Sequence, residues 1–409
     1  MTVDQAPRTG DVYYDPYDTT IDSDPYPVWR RLRDEAPLYR NEEHGFWALS
    51  RYEDVEPCLS DWDTYRSGKG SVLELIKASV EYDVAMPSGM FIFEDPPEHD
   101  FHRAVLGRAF TPRRMAALEA RAREFCASTL DPLVGSGGFD FISDLGAYMP
   151  MRMIGDLLGI PESDQQAIRD KLDENLRINE DGTPNDYVDM NAQLAVMSEM
   201  FGSYIDWREK NPSDDLMTEI LNAEVDDPAG PRKLTRDEIM TYCNLIAGAG
   251  NETTTRLIGW TGKVLSDNPD ARRAINADRS LLNNAIEEML RYEAPSPVQA
   301  RYVSKDVAWH GETVPEGSIM LLINGSANRD ERKFADPDTY DPHRSIGRHL
   351  SFGYGLHHCL GHALARLEGR VALDEVLNRF PDWEVDHDRA VQARTSTVRG
   401  WETLPVRTP

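Results

Sequence analysis

The chain has 409 residues, 40% of them hydrophobic and 28% charged, so it can bury a large core and does not belong to the disordered class. Its formal net charge of −27 opposes phosphate backbones and anionic lipid surfaces, which are held by clustered Lys and Arg, so nucleic acid is not an expected partner. No apolar run approaches the roughly 20 residues of a bilayer span, and MTVDQAPRTGDVYYDPYD has no basic region followed by an apolar one; no membrane span and a cytoplasmic location are expected.

In chain order, DPYPVWRRLRDEAP reads as a helix and LYRNEEHGFWALS alternates like a small hairpin. DPPEHDFHRAVLGRAF and PRRMAALEARAREFCASTLDPL carry helical periodicity, as do Leu145 to Leu158 and Tyr187 to Arg208. Thr235 and Glu238 form a capping-box pattern that opens a helix running to Ser266, stopped before Asn268-Pro269. At about 1.5 Å per residue it would be roughly 48 Å long, enough to cross a domain. A helix ending at RYEAP follows, then β-like VQARYVS and SIMLLING, a last helix from Gly361 to Phe380, and a β-like tail. With no repeat or Gly/Ser linker, the expected fold is mainly α, a single domain over residues 1–409 with a minor β region.

Cys58, Cys126, Cys243 and Cys359 lie far apart and form no CxxC pair, which suits a reducing compartment. Cys359 stands out because SFGYGLHHCLG runs straight into the helical pattern HALARLEGRVALDEVL. The unpaired amides and positive end of that helix favour a thiolate. Gly353, Gly355 and Gly361 permit tight turns and positive φ, letting backbone pass close to a flat object, and Phe352 is placed to shield the site. A structural cysteine beside a helix cap is the bland reading. Zinc held by His357, His358, Cys359 and His362 is weaker, since adjacent residues rarely converge on one tetrahedral ion.

Inside the long helix, Ala247-Gly-Ala-Gly-Asn-Glu-Thr-Thr-Thr255 is poor helix by propensity, each interior Gly costing about 0.5–1 kcal/mol relative to Ala. Small residues make room for a wide ligand, and Thr hydroxyls that back-bond to carbonyls can open a notch. Glu252 beside Thr253 puts an acid next to a hydroxyl, as a proton relay requires. A Gly/Thr helix-contact seam would explain the same residues. Glu288 and Arg291 are three apart on one helix face and able to pair.

The segment from Phe352 to Gly361 resembles the haem-binding loop of the cytochrome P450 family, matching at Phe352, Gly353, Gly355, His357, Cys359 and Gly361. The resemblance implies the cytochrome P450 fold, haem b with Cys359 as the iron ligand, and His357 at a propionate; it assigns no role to His358 or His362. AGNETT resembles the family's oxygen-activating helix, which implies Thr253 hydrogen-bonded to the activated oxygen, Glu252 supplying protons, and Ala249 against the porphyrin. Asn251 stands where many relatives carry His. The resemblance also implies that Glu288 and Arg291 lock the core to the segment before the cysteine loop, and that His99, Arg103 and Arg301 join His357 as propionate contacts. Residues 68–93, with Val72, Leu73, Leu75, Ile76, Met86, Met90 and Phe91, resemble the variable lid. With Leu245, Gly248, Ala249, Thr253 and Val298, the lid's Met90 and Phe91 are the candidate substrate-pocket wall.

The implied function is a monooxygenase that hydroxylates or epoxidises a hydrophobic small molecule with O₂. Because the likeness covers nearly the whole chain, electrons from NAD(P)H are expected through a separate ferredoxin reductase and ferredoxin. Arg103, Arg108, Arg113 and Arg114 form a basic cluster to receive an acidic ferredoxin. A monomer is expected. A peroxide-using haem-thiolate enzyme and a non-catalytic haem sensor or carrier share the same cysteine loop and stand as alternatives.

Overall fold

Helix α1 (Tyr26–Glu35) buries Trp29, Leu32 and Arg33 along the stripe its periodicity marks. The computed structural model describes residues 12–83, 86–176, 190–227, 230–395 and 397–409, with backbone alone for 172–176 and 190–198. Strands β1 (Leu38–Asn41) and β2 (Phe46–Leu49) pair antiparallel as the alternation predicts. After β3 (Tyr65–Arg66), α2 (Leu73–Tyr82) and α3 (Glu98–Gly107), the helical stretch around residue 120 divides. Pro112–Ala117 and α4 (Glu119–Leu130) meet at Leu118.

The helix expected from Leu145 also differs. A π-turn occupies Phe141–Gly146, with the Ala147 amide donating to the Ile142 carbonyl, and α5 (Met149–Leu158) restarts with Pro150 in its first turn. Proline lacks an amide hydrogen, and the first turn of a helix is where that loss costs least. Helix α6 (Met190–Lys210) carries most of the stretch expected from Tyr187; Tyr187 to Asp189 lie outside the described residues. The hairpin β4 (Glu224–Asp227) with β5 (Gly230–Lys233) was not foreseen, although Asp-Pro-Ala-Gly between them is turn chemistry.

Helix α7 (Arg236–Asp267) runs 32 residues and opens on the predicted capping box: Thr235 Oγ1 accepts the Glu238 amide, and the Glu238 carboxylate accepts the Thr235 amide. Then come α8 (Leu282–Tyr292), β6 (Gln299–Val303), β7 (Ile319–Leu322) and α9 (His362–Arg379). Helix α7 contacts α5, α6, α8 and α9, so the main core forms around it, with Ile154, Leu257, Ile286 and Val371 buried there. The largest sheet has the order β1-β2-β7-β6-β3, with only the β2–β7 pair parallel. It shares a second apolar cluster with α1 and α2, including Trp29, Ile76 and Leu321.

Candidate active site

The loop before α9 is folded back on itself. Cys359 N–H donates to the Phe352 carbonyl at 2.8 Å, and Gly353 and Gly355 take φ of 66° and 73°. A Cβ on Gly355 would sit 2.8 Å from the Leu59 carbonyl, so glycine is required there for space as well as for φ. Gly361 corrects the expectation: its φ is −80°, and no heavy atom lies within 4 Å of where its Cβ would be. Its value is the open space in front of it, not a left-handed turn. Phe352 is half-buried, with the Arg366 guanidinium 4.5 Å above its ring.

The amides of Gly361 and His362 point at Cys359 Sγ, and Arg103 and Arg366 face it. Burial outweighs these groups and holds the thiol above its ordinary range. Helix-terminus electrostatics alone therefore do not prepare a thiolate here. A coordinating metal ion deprotonates a thiol outright.

Beside the loop, four cationic or imidazole side chains converge. His99 and His357 have ring centroids 4.6 Å apart, and Arg103 reaches from α3 to the His358 carbonyl. Arg301, on β6, is buried and its Nη1 donates to its neighbour Ala300's carbonyl at 2.8 Å. Among the described residues, no carboxylate forms an ion pair with Arg103 or Arg301, and His99 Nε2 and both His357 ring nitrogens are buried without a partner. Burial, with Arg301, His99 and Arg103 nearby, pulls His357 down to about 2; burial likewise lowers Arg301 to about 10. Asp100, 3.0 Å from His99 Nδ1, is the carboxylate that pairs with this cluster, and it leaves both arginines without one among the described residues.

On α7 the small residues split between the two readings left open by the sequence. Gly250 serves the contact seam, because a Cβ there would strike Ile154 Cδ1 at 2.4 Å. Ala249 is exposed and Gly248 and Thr253 are half-buried midway along a helix whose other faces are covered. Thr253 Oγ1 donates back to the Ala249 carbonyl at 3.0 Å, the predicted back-bond, while the helix itself runs unbroken through this stretch. The next two hydroxyls turn away: Thr255 donates to the Gly146 and Asn251 carbonyls, and Thr254 to Glu368 of α9. Glu252 is buried and paired with Arg256, Oε1 to Nη2 at 2.6 Å, while its Oε2 has no partner. Glu252 and Thr253 thus each bond elsewhere rather than to one another.

Glu288 and Arg291 are fully buried and joined by bonds of 2.7 and 2.8 Å. The sequence reading missed the third member, Arg344, whose Nε donates to Glu288 Oε1 at 2.9 Å. Arg291 also donates to the Asn328 and Pro337 carbonyls, tying α8 to the chain before the cysteine loop.

The candidate pocket residues come from α7, from the segment before α3 and from the chain before β6. Leu245 is buried on α7. Met90 is half-buried, while Phe91 is buried with its ring 5.7 Å from the Arg103 guanidinium and 6.1 Å from His99. Val298 rests against the Trp29 cluster, and Leu73, Leu75 and Ile76 of α2 are buried. Arg103 and Arg114 leave the basic cluster, the latter because Glu219 pairs with it at 2.5 Å, so Arg108 and Arg113 are its exposed members.

Among the described residues, no helix is long and apolar enough to cross a membrane, and no three His, Cys, Asp or Glu side chains converge to hold a metal ion. A family model described as cytochrome P450 matches residues 41–405. The protein designated cytochrome P450 123 of Mycobacterium tuberculosis is 39% identical, with 98% of each chain covered. The vitamin D(3) 25-hydroxylase of Pseudonocardia autotrophica is 33% identical, with 97% of each covered. Among solved structures, CYP109E1 from Bacillus megaterium in complex with testosterone superposes with a TM-score of 0.83 at 27% identity, covering 95% of this chain and 99% of that one.

Proposed function

The chain belongs to the cytochrome P450 family, an enzyme family of haem-iron monooxygenases, and from that premise we propose that it oxygenates an apolar small molecule of moderate size, with Cys359 as the residue that would hold the iron of haem b. The observation that carries this reading is the cluster of His99, Arg103, Arg301 and His357 beside the cysteine loop, whose two arginines have no carboxylate partner among the described residues and which leaves three ring nitrogens buried without one. Arg103 and Arg301 would hold the two propionates of a bound haem, and the orphaned ring nitrogens of His99 and His357 would donate to them where they carry protons. The open space at Gly361 and the bare stripe of Gly248, Ala249 and Thr253 give a flat macrocycle room.

When bound, a thiolate-ligated haem supplies oxygen activation, because the sulfur pushes electron density that favours O–O cleavage. This chain's residues handle position and protons. Arg256 fixes Glu252 Oε1, and the unpartnered Oε2 is the atom that holds or passes on a proton. Thr253 can exchange its bond to the Ala249 carbonyl for one to a bound oxygen species beside the helix. The names of the relatives, a vitamin D(3) hydroxylase and a protein holding testosterone, support a bulky apolar substrate.

In this reading electrons come from NAD(P)H through a ferredoxin reductase and an acidic ferredoxin that meets exposed Arg108 and Arg113. Reversing both charges should flatten the salt dependence of reduction; an unchanged slope removes this docking surface. The central test is the ferrous carbon monoxide spectrum. The wild-type protein should give the thiolate-type band and Cys359→Ala should lose it while keeping haem. An unaltered spectrum in Cys359→Ala would overturn the assignment.

A further inference from the structure

The segment from Pro87 to Glu94 straps across the N-terminal end of α7. Gly89 takes φ +89°, and a Cβ there would come within 3.0 Å of the Tyr242 ring, so only glycine lets the strap lie this close. Ser88 Oγ donates to Glu238 at 3.1 Å, and the Gly89 amide donates to Glu94 Oε1 at 2.8 Å. Between strap and helix lies His102 of α3, 1% exposed, a residue the proposed mechanism does not use. Its Nδ1 is 2.7 Å from Glu94 Oε2 and its Nε2 is 3.2 Å from Glu238 Oε1.

Those distances set a proton count. Two carboxylates are acceptors, and a neutral imidazole has one donor and one acceptor, so it can satisfy one of them only. Both contacts hold together when the ring carries two N–H groups, or equally when Glu94 holds the extra proton. The closed triad therefore contains one proton more than a neutral ring between two carboxylates. Glu238 is not the proton's site: despite burial, Arg232, the Thr235 amide and His102 bring its carboxyl down to about 2. The other groups facing His102 add no second base. From α7 Tyr242 donates to the His102 carbonyl at 3.4 Å, and from the β4–β5 hairpin Arg232, itself held by Asp227, pairs with Glu238 at 2.7 Å.

We infer that His102 is a positioning residue, a proton-operated latch that clasps the strap onto α7 and lets it go when the triad loses its proton. Glu94 is the contact that yields, because Glu238 keeps Arg232, Thr235 and Ser88. Glu94 and Ser88 also line a cavity of about 470 Å³, so the proton has a way out. The consequence reaches the proposed haem site, since the strap carries Phe91 onto Arg103 and His99. That functional link rests on the monooxygenase reading; the latch itself does not.

Hydrogen exchange of the 88–94 amides in haem-loaded protein, corrected for intrinsic rates between pH 6 and 9, tests the latch. Wild-type protection should fall with rising pH, by at most about tenfold per unit for one proton. Glu94→Gln keeps an oxygen for the Gly89 amide and offers an N–H to neutral His102, so its protection should stay high and flat. His102→Leu, which donates to neither carboxylate, should be unprotected throughout. A flat wild-type profile, or a Glu94→Gln profile with the wild-type slope, overturns the latch. Exchange does not read iron ligation, so failure here and failure of the carbon monoxide test are separate results.

Discussion

Two buried arginine clusters flank the cysteine loop, and they are built on opposite principles. Arg291 sits in a closed circuit in which it and Arg344 share the Glu288 carboxylate and spend their remaining donors on backbone carbonyls. Arg301 sits with His99, Arg103 and His357, and what it has of its own is one bond to the Ala300 carbonyl. Burial costs a cation several kcal/mol unless the charge is compensated. The first cluster is therefore complete as folded, and the second is costly until an anion arrives. Burial by itself separates neither; the presence or absence of a protein carboxylate does.

The same substitution at the two sites breaks or sharpens this contrast. Arg291→Met leaves Glu288 buried without its main partner and should destabilise the fold by about 3–5 kcal/mol, read from urea unfolding. Arg301→Met removes a cation that lacks an anion, so the haem-free protein should be as stable as wild type or more so. Its cost should appear on haem retention, about 1.5–3 kcal/mol, or roughly tenfold to a hundredfold faster loss to an acceptor globin. Equal destabilisation of the haem-free protein by both variants would refute the distinction.

The sequence made the chain-wide scaffold legible where local signals agree: the capping box at Thr235 and Glu238, the β1–β2 alternation, and the glycine-rich run into α9. It misread boundaries where periodicity continues through a backbone change, as at Leu118 and before Pro150. At the site, Cys359 and the Glu288–Arg291 pair could be read because their signals lie within a few residues. Arg344, Arg256 and the Glu94–His102–Glu238 triad could not, since each depends on partners brought together by tertiary structure. Phe91 shows the same. An apolar residue in a variable segment reads as pocket lining, and its ring also lies over the cation cluster, a contact no local signal marks.

A third buried charge, of the other sign, gives the smallest test. Glu368 on α9 is 1% exposed and bonds the Thr254 hydroxyl of α7, and its Oε1 has no partner. Burial raises its carboxyl well above the ordinary range, only partly offset by Thr254. The folded state then holds a proton that the unfolded chain releases, so the stability it contributes is full at low pH. That contribution is lost as pH climbs from the ordinary carboxylate range to the raised folded value, by about 1.4 kcal/mol per unit. Glu368→Gln, permanently neutral, should lack this slope: near wild type in urea midpoint at pH 5 and ahead of it by a growing margin toward pH 8. If the margin does not widen, Glu368 is ionised in the fold and the α7–α9 interface must supply it a cation. That would place it with Arg291 among the matched charges rather than with Arg301.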